Sequence, residues 1–259
     1  MAAGYEKVGA DHGEALAYLR TNLVHNSLEV WSLMRESHRH DLYVHRDGGI
    51  ITAHLGIYHS PETDYVSIGG REEAIEALLP LVPAKAVVLL SPEAYEKSRE
   101  RLGSDKVYAN DLLLVRRGEE RLVHPELAVR LTERDAEDYS RFGPSFEGPP
   151  TPVDWARERL SREAVFGVFD GTLVSVADAI APLPEMAVIV GVETRKEFRR
   201  RGYGTIVVSA ALREALARSE TCLLGVAQSN EDARRLYGRL GFKKVGEEIW
   251  VDIGTGRSP

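Results

Sequence analysis

The chain has 259 residues, of which 43% are apolar and 28% charged, enough for one large or two ordinary domains at roughly 150 residues each, with two slightly favoured. That composition excludes a disordered chain and a collagen-like repeat, and with no apolar run near about 18 residues it excludes a membrane-spanning helix. A net charge of −7 argues against an extended duplex-binding surface, and Cys222, alone in the sequence, permits neither a disulfide framework nor a multi-cysteine zinc site. The first sixteen residues are polar and broken by glycine, with no basic segment leading into an apolar one. The expectation is therefore a soluble cytoplasmic protein with no signal peptide and no nucleic-acid or membrane partner.

Residues 15–23 and 28–35 read as two short helices. Alternating stretches at 41–45, 49–58 and 64–68 read as a strand meander, bounded by Asp47-Gly48-Gly49 and Ser60-Pro61. A helix at 71–79, an apolar strand at 86–90, a helix at 93–102 and a strand at 107–115 follow. After a charged, turn-like stretch at 116–121 the order restarts: a strand-like 127–131, helices at 134–139 and 153–160, then strands at 163–169, 173–180 and 186–192. A long helix at 204–218, a strand at 221–227, a helix at 231–240 and a strand at 244–251 complete it. Arg101-Leu102-Gly103 with Lys106-Val107 matches Arg239-Leu240-Gly241 with Lys244-Val245 at an offset of 138 residues. The repeated element order and this short match predict a duplicated α/β (α+β) fold cut near residue 125, into domains 1–125 and 126–259.

None of the eight histidines lies beyond His124, so chemistry in the second half has no imidazole base of its own. The cluster His38, His40 and His45 has no carboxylate or cysteine at ligand spacing on a recognisable helix. It reads as a solvated polar face, and no metal is expected.

Two segments of the second half carry candidate chemistry. In 186–210 an apolar strand leads through a basic turn, Arg195-Lys196-Glu197-Phe198-Arg199-Arg200-Arg201-Gly202-Tyr203-Gly204-Thr205, into a helix. A helix start has unpaired N–H groups and a partial positive charge, so it binds anions, and Gly202 and Gly204 allow phosphates close to the amides. Val207 replaces the third glycine of a dinucleotide fingerprint, and no Gly-Lys-Ser/Thr ending is present. In 221–251, Asn230 is a good N-cap and Gly241 a good terminator, while Ala233, Leu236, Tyr237 and Leu240 share one helical face. Tyr237 would then be a core aromatic whose hydroxyl needs a partner.

This ordered pair of blocks, Arg199-x-x-Gly202-x-Gly204 after a strand and Asn230-x-x-Ala233-x-x-x-Tyr237-x-x-Leu240-Gly241-Phe242, resembles the GNAT superfamily of N-acetyltransferases, over residues 127–253. The whole chain resembles two-domain members with a degenerate first copy, similar in layout to glycine N-acyltransferases. The resemblance implies tandem domains, each a mixed, mostly antiparallel sheet flanked by helices. It implies acetyl-CoA as co-substrate and transfer of its acetyl group by direct attack of a primary amine of a small molecule or amino acid, in a monomer or homodimer. Val192 and Thr194 would hydrogen-bond the pantetheine arm through their backbone. The amides of Arg200, Arg201, Gly202, Tyr203, Gly204 and Thr205 would hold the pyrophosphate, with Arg199 at the motif's Arg/Gln position. Asn230 would contact the pantetheine, and Tyr237 would protonate the leaving thiolate.

Some family members carry a glutamate where this chain has Val188. Glu185 and Glu193 stand at odd spacing from it and, on a regular strand, face the opposite side, so the base stays unassigned. Residues 142–155, with Glu147, correspond to the acceptor-lining segment. In the first copy, Ile68-Gly69-Gly70-Arg71-Glu72-Glu73 places acid where a phosphate turn needs positive or neutral groups, and the offset puts Pro92 at the asparagine position and Arg99 at the tyrosine position. That half is expected not to bind acetyl-CoA. A non-catalytic acyl-CoA sensor and an interaction protein remain as alternatives.

Overall fold

A computed structural model describes residues 4–9, 12–60, 63–104, 106–142, 152–180 and 183–256. Its two compact units are discontinuous in sequence. One comprises Met1–Leu112, Val226–Ser229 and Val245–Pro259, and the other Leu113–Gly225 and Asn230–Lys244. The expected cut near residue 125 yields two contiguous halves; the chain instead leaves unit 1 after Leu112, re-enters it at Val226–Ser229 and returns again at Val245.

Unit 1 contains β1 (Tyr5–Lys7), α1 (Gly13–Arg20), α2 (Leu23–Arg35), β2 (His40–Asp47), β3 (Ile50–His59), β4 (Asp64–Gly70), α3 (Glu72–Leu78), β5 (Ala86–Leu90), α4 (Pro92–Leu102) and the start of β6 (Val107–Arg116). Strand β1 carries no sequence signal beyond three residues and forms by pairing Tyr5–Lys7 against Tyr43–His45. The first helix ends earlier than expected, where the amides of Thr21 and Asn22 turn back to the carbonyls of Tyr18 and Leu19. The sheet runs β1-β2-β3-β4-β5 and is completed by the last strand of the chain, Lys243–Ile253, which lies antiparallel to β5 from Ile249↔Leu90 to Ile253↔Ala86. Alternating Leu55, Ile57, Val66, Ile68, Val88 and Leu90 join Ile249 and Val251 under α3 and α4 as one core.

His40 corrects the solvated-face reading of the histidine cluster. It is buried, with Nε2 2.8 Å from Glu29 Oε1 but outside hydrogen-bond angles. Glu29 lies against Gly56, where any side chain would collide with its carboxylate.

Unit 2 contains β7 (Val129–Arg130), α5 (Ala136–Phe142), α6 (Val153–Arg162), β8 (Ala164–Asp170), β9 (Thr172–Ile180), β10 (Met186–Thr194), α7 (Tyr203–Arg218), β11 (Thr221–Ala227) and α8 (Glu231–Arg239); Lys243–Ile253 is β12. The order is β11-β10-β9-β8-β7, antiparallel except for β10 beside β11. Phe142, Ala156 and Leu160 pack on Val165, Leu173 and Val176, covering one face with α5 and α6. The other face carries α7: Ser175 Oγ lies 2.7 Å from Thr194 Oγ1, and a Cβ at Gly204 would stand 3.3 Å from that same Thr194 oxygen. Each unit is thus a mixed, mostly antiparallel sheet flanked by helices. No described helix is long and apolar enough to cross a membrane, and no described group of His, Cys, Asp or Glu could hold a metal ion.

A chain cut after residue 125 lacks Ile249 and Val251, each worth about 1.5–3 kcal/mol of burial against a total of about 5–15 kcal/mol for a domain. It is expected to show no cooperative urea transition by circular dichroism; a sharp transition would mean that unit 1 does not need β12.

Candidate functional site

Strands β10 and β11 pair through only three positions, Met186↔Thr221, Ala187↔Cys222 and Val188↔Leu223, although β10 continues to Thr194 and β11 to Ala227. Beyond Val188 the parallel ladder stops, and the backbone groups there can pair with a ligand as with an added strand. On its other side β10 stays paired with β9, but its register shifts between Val190 and Glu193. Gly191 sits in that bulge with φ +60, a left-handed conformation that a side chain disfavours, and a Cβ there would stand 3.3 Å from Asp178 Oδ2. Val192 lies in the bulge and Thr194 at the strand's end, with Thr194 O accepting from Arg199 Nε at 3.1 Å.

The bulge overturns the expected direction of Glu193. Val188, Val190 and Glu193 lie opposite Ile180, Asp178 and Val176, three alternate residues of β9 that share one face. Glu193 therefore stands on the face of Val188, despite its odd spacing.

Arg200 has φ +66 and Gly202 φ +89 where the basic turn enters α7. Gly202 is the N-cap, without a side-chain cap, and a Cβ on it would meet nothing within 4 Å. The first closed hydrogen bond of the helix is Ile206 N–H to Gly202 O, 3.1 Å. Ahead of it the amides of Tyr203, Gly204 and Thr205 have no acceptor among the described residues. The result is an open cradle of donors at a sixteen-residue helix, suited to phosphate.

Two carboxylates missed by the motif reading lace this turn. Asp232 accepts from Arg200 Nη1 at 2.7 Å and from Arg235 Nη2 at 2.5 Å. Asp170 accepts from the Tyr203 hydroxyl at 2.8 Å, which pushes that phenol up, and lies 3.7 Å from Arg201 Nη1. All are exposed pairs of small net worth, which a pyrophosphate can exchange with little loss.

Asn230 caps α8, its Oδ1 accepting from Ala233 N–H at 3.1 Å, which leaves its Nδ2 as donor. Leu236 of the same helix would stand 3.4 Å from a Cβ on Gly204, so α8 is packed beside the phosphate turn. Tyr237 is 5% exposed, its ring edge-on to Phe242 at 5.9 Å. Burial pushes the phenol well above its ordinary value. No described group is hydrogen-bonded to its hydroxyl, and burial is the one cause of that rise.

Under the bulge, on the face shared by Val188 and Glu193, lies a second group without a sequence signal. Arg159 clamps Asp178, with Nε at 2.8 Å, and its guanidinium lies over the Trp155 ring at 5.2 Å. Burial pushes the Asp178 carboxyl up and Arg159 pulls it back; burial works against the Arg159 charge, but Asp178 outweighs it. Burial, then Asp178, pushes up the Tyr139 phenol, which Glu193 also reaches electrostatically. Asp178 Oδ1 is left buried without a partner. Glu147 and most of the 142–155 segment lie outside the described residues.

Unit 1 repeats these elements without the openings. Strands β4 and β5 stay paired through five positions, from Asp64↔Ala86 to Ile68↔Leu90. Gly70 is packed against the backbone of Thr52 and Ala53, and α3 opens on Glu72 and Glu73. The helix cap is Ser91, accepting from Ala94 N–H at 3.3 Å, so Ser91 rather than Pro92 stands where Asn230 does.

These features together are those of a tandem GNAT fold. Residues 165–251 match the family model of FR47-like proteins. Over its whole length the chain is similar to the structure of a Drosophila protein, with 14% identity, 98% of this chain and 99% of that one covered, and a TM-score of 0.72. A tandem GNAT protein from the clavulanic acid biosynthesis pathway shows 14% identity over 98% and 99%, TM-score 0.62. A GCN5-related N-acetyltransferase-like protein from Streptococcus suis shows 16% over 92% and 98%, TM-score 0.61. No curated protein matches the sequence.

Replacing Gly202 by alanine adds a Cβ to a left-handed residue with free space around it, so only conformation resists. The variant is expected to lose about 1–2 kcal/mol of stability by urea titration; an unchanged midpoint would show that the turn relaxes out of φ +89.

Proposed function

We propose that the chain is an acetyl-CoA-dependent N-acetyltransferase whose acceptor is a primary amine on a small molecule or amino acid, attacking directly in a ternary complex. The observation that carries this reading is the parting of β10 from β11 beside an open amide cradle. The parted strands offer backbone pairing to a pantetheine arm at Val192 and Thr194, while residues 200–205 offer donors to the pyrophosphate. Asn230 Nδ2 and Tyr237 stand on the helix that flanks both. The glycine and acid differences in unit 1, with its five-position ladder, support a single acetyl-CoA site per chain.

An acceptor amine with pKa near about 10 is almost all ammonium at neutral pH and must lose a proton before attack. Glu193 is the carboxylate that the bulge brings to the face of the family's base position, and it would take that proton, directly or through water. Asp178, held by Arg159, would instead keep the bulge rigid. As the thioester breaks, charge develops on sulfur. Transfer from a phenol raised above about 10 to a thiolate of about 8.5 is uphill by roughly 2 kcal/mol or more. Burial also makes a thiolate more basic, as it does for Cys222 in this unit. Tyr237 would thus stabilise the leaving sulfur by a hydrogen bond that strengthens as charge develops.

Thiol release from acetyl-CoA with a library of small primary amines tests the reading; binding of acetyl-CoA with no turnover on any amine would leave a sensor instead. Tyr237→Phe is expected to lower kcat about ten- to hundred-fold with acetyl-CoA affinity nearly unchanged, and lost binding with unchanged turnover would remove its role. Glu193→Gln is expected to lower kcat/KM at neutral pH and to recover activity at alkaline pH, where free amine accumulates; an unaltered pH–rate profile would exclude it as base. Calorimetric titration is expected to find one equivalent of acetyl-CoA per chain, and two would restore unit 1 as an acyl-CoA site.

A further inference from the structure

Both units hold a buried carboxylate between their second helix and the middle strand of the meander, with opposite polarity. In unit 1 the carboxylate comes from the helix. Glu29 of α2 lies against Gly56 of β3 and accepts from Ser67 Oγ of β4 at 2.5 Å. Ser67 stands opposite Gly56, and the β3–β4 ladder runs from Ala53↔Gly70 to His59↔Asp64 without a shift in register. In unit 2 the helix supplies the cation and the strand the anion. Arg159 of α6 donates from Nε and Nη2 to Oδ2 of Asp178 on β9, and Asp178 stands opposite Val190, the last paired residue of β10 before its register shifts.

The Asp178 carboxylate lies along the bulge itself. A Cβ on Gly191 would stand 3.3 Å from Oδ2 and 3.6 Å from Oδ1, so the backbone at Gly191 rests on the carboxylate with no side chain between them. Its φ of +60 is one that a side chain disfavours. Asp178 Oδ1 is sealed without a hydrogen-bond partner. Full hydrogen bonding is therefore not what fixes this carboxylate; the Arg159 fork and the contact with Gly191 do. The guanidinium is backed in turn by the ring of Trp155, also of α6, at 5.2 Å.

We propose that Arg159 and Asp178 are positioning residues for acetyl-CoA: the buried pair fixes the Gly191 bulge, and the bulge turns the backbone of Val192 out of the β11 ladder into the register that a pantetheine arm can pair with. This rests on the acetyl-transfer reading and deepens it, since neither residue belongs to the amide cradle or to α8. An inserted residue bends and twists its strand, and the parallel ladder stops at Val188↔Leu223, just before the bulge. Unit 1 is the control within the same chain. With the anion on the helix and no bulge in β4, strands β4 and β5 stay paired through five positions.

Calorimetric titration of the full chain with two probes separates positioning from folding. Acetyl-CoA reads the whole site, whereas 3′-phosphoadenosine 5′-diphosphate, which is coenzyme A without its pantetheine arm, reads the phosphate turn alone. The double variant Arg159→Met with Asp178→Leu replaces the pair by apolar side chains, a change that buried ion pairs commonly tolerate. It is expected to bind acetyl-CoA about ten-fold more weakly, the loss expected for one backbone hydrogen bond, with the pantetheine-free probe within about two-fold of the unmodified chain. Arg159→Lys keeps the charge and loses the fork, and is expected to move the ratio of the two affinities in the same direction by about three-fold. An unchanged ratio in a folded variant, or equal weakening of both probes, overturns the proposal and leaves the acetyl-transfer reading in place. No binding of acetyl-CoA by the unmodified chain removes both. Should the double variant not fold, Arg159→Lys decides with the same two probes.

Discussion

Two parallel strands that part leave backbone donors and acceptors which neither can satisfy, and in this protein that parting is the constraint on which the candidate site depends. β10 and β11 separate after Val188↔Leu223 while the bulge at Gly191 keeps β10 attached to β9. Backbone polar groups away from water need partners, so the opened edge is stable only if a strand-like ligand or solvent fills it. The elements at its rim follow from the same opening. The start of α7 presents free amides, α8 packs Leu236 against Gly204, and Tyr237 lies buried on α8 with its ring edge-on to Phe242. In unit 1 the equivalent pair stays zipped, and Gly70 is pressed onto the neighbouring backbone, so the same order of elements gives no such slot.

Charge is handled oppositely in the two units, and burial decides what it is worth. Around the basic turn of unit 2, Asp170 and Asp232 meet arginines at the surface, where water screens both partners and the pairs are readily exchanged. Such an arrangement keeps a basic loop ordered without closing it to an anion. Under the Gly191 bulge the Arg159–Asp178 pair is sheltered, and loss of either partner would strand a charge. Unit 1 carries a buried carboxylate, Glu29, beside His40, and leaves both ring nitrogens of His54 without a described partner.

Much of this was legible from residue spacing. Helices with periodic apolar faces and definite ends, such as α4 before Gly103 and α8 between Asn230 and Gly241, and the strands bounded by Asp-Gly turns, are set by neighbours within a few residues. The Arg199 to Thr205 turn and the Asn230 to Tyr237 face were legible for the same reason, since a helix start and a helix face are local properties. The misreadings share the opposite cause. Glu193 was assigned to the wrong face because a bulge is a mismatch with β9, invisible in β10 alone. His40 passed for a solvated residue because its partner Glu29 lies on another element. The repeat offset named Pro92 where Ser91 does the capping, because offsets count residues whereas caps follow helix geometry.

By itself, then, the sequence determined the class of fold, the repeated order of elements and the basic, glycine-containing turn that enters α7, because these rest on local periodicity, turn chemistry and helix ends. Only the tertiary structure decided that β12 completes the first unit and that one pair of parallel strands opens while the other stays closed. Those outcomes depend on strand register and packing between distant segments, where a shift of one residue exchanges the faces of a strand, and no run of neighbouring residues encodes it alone.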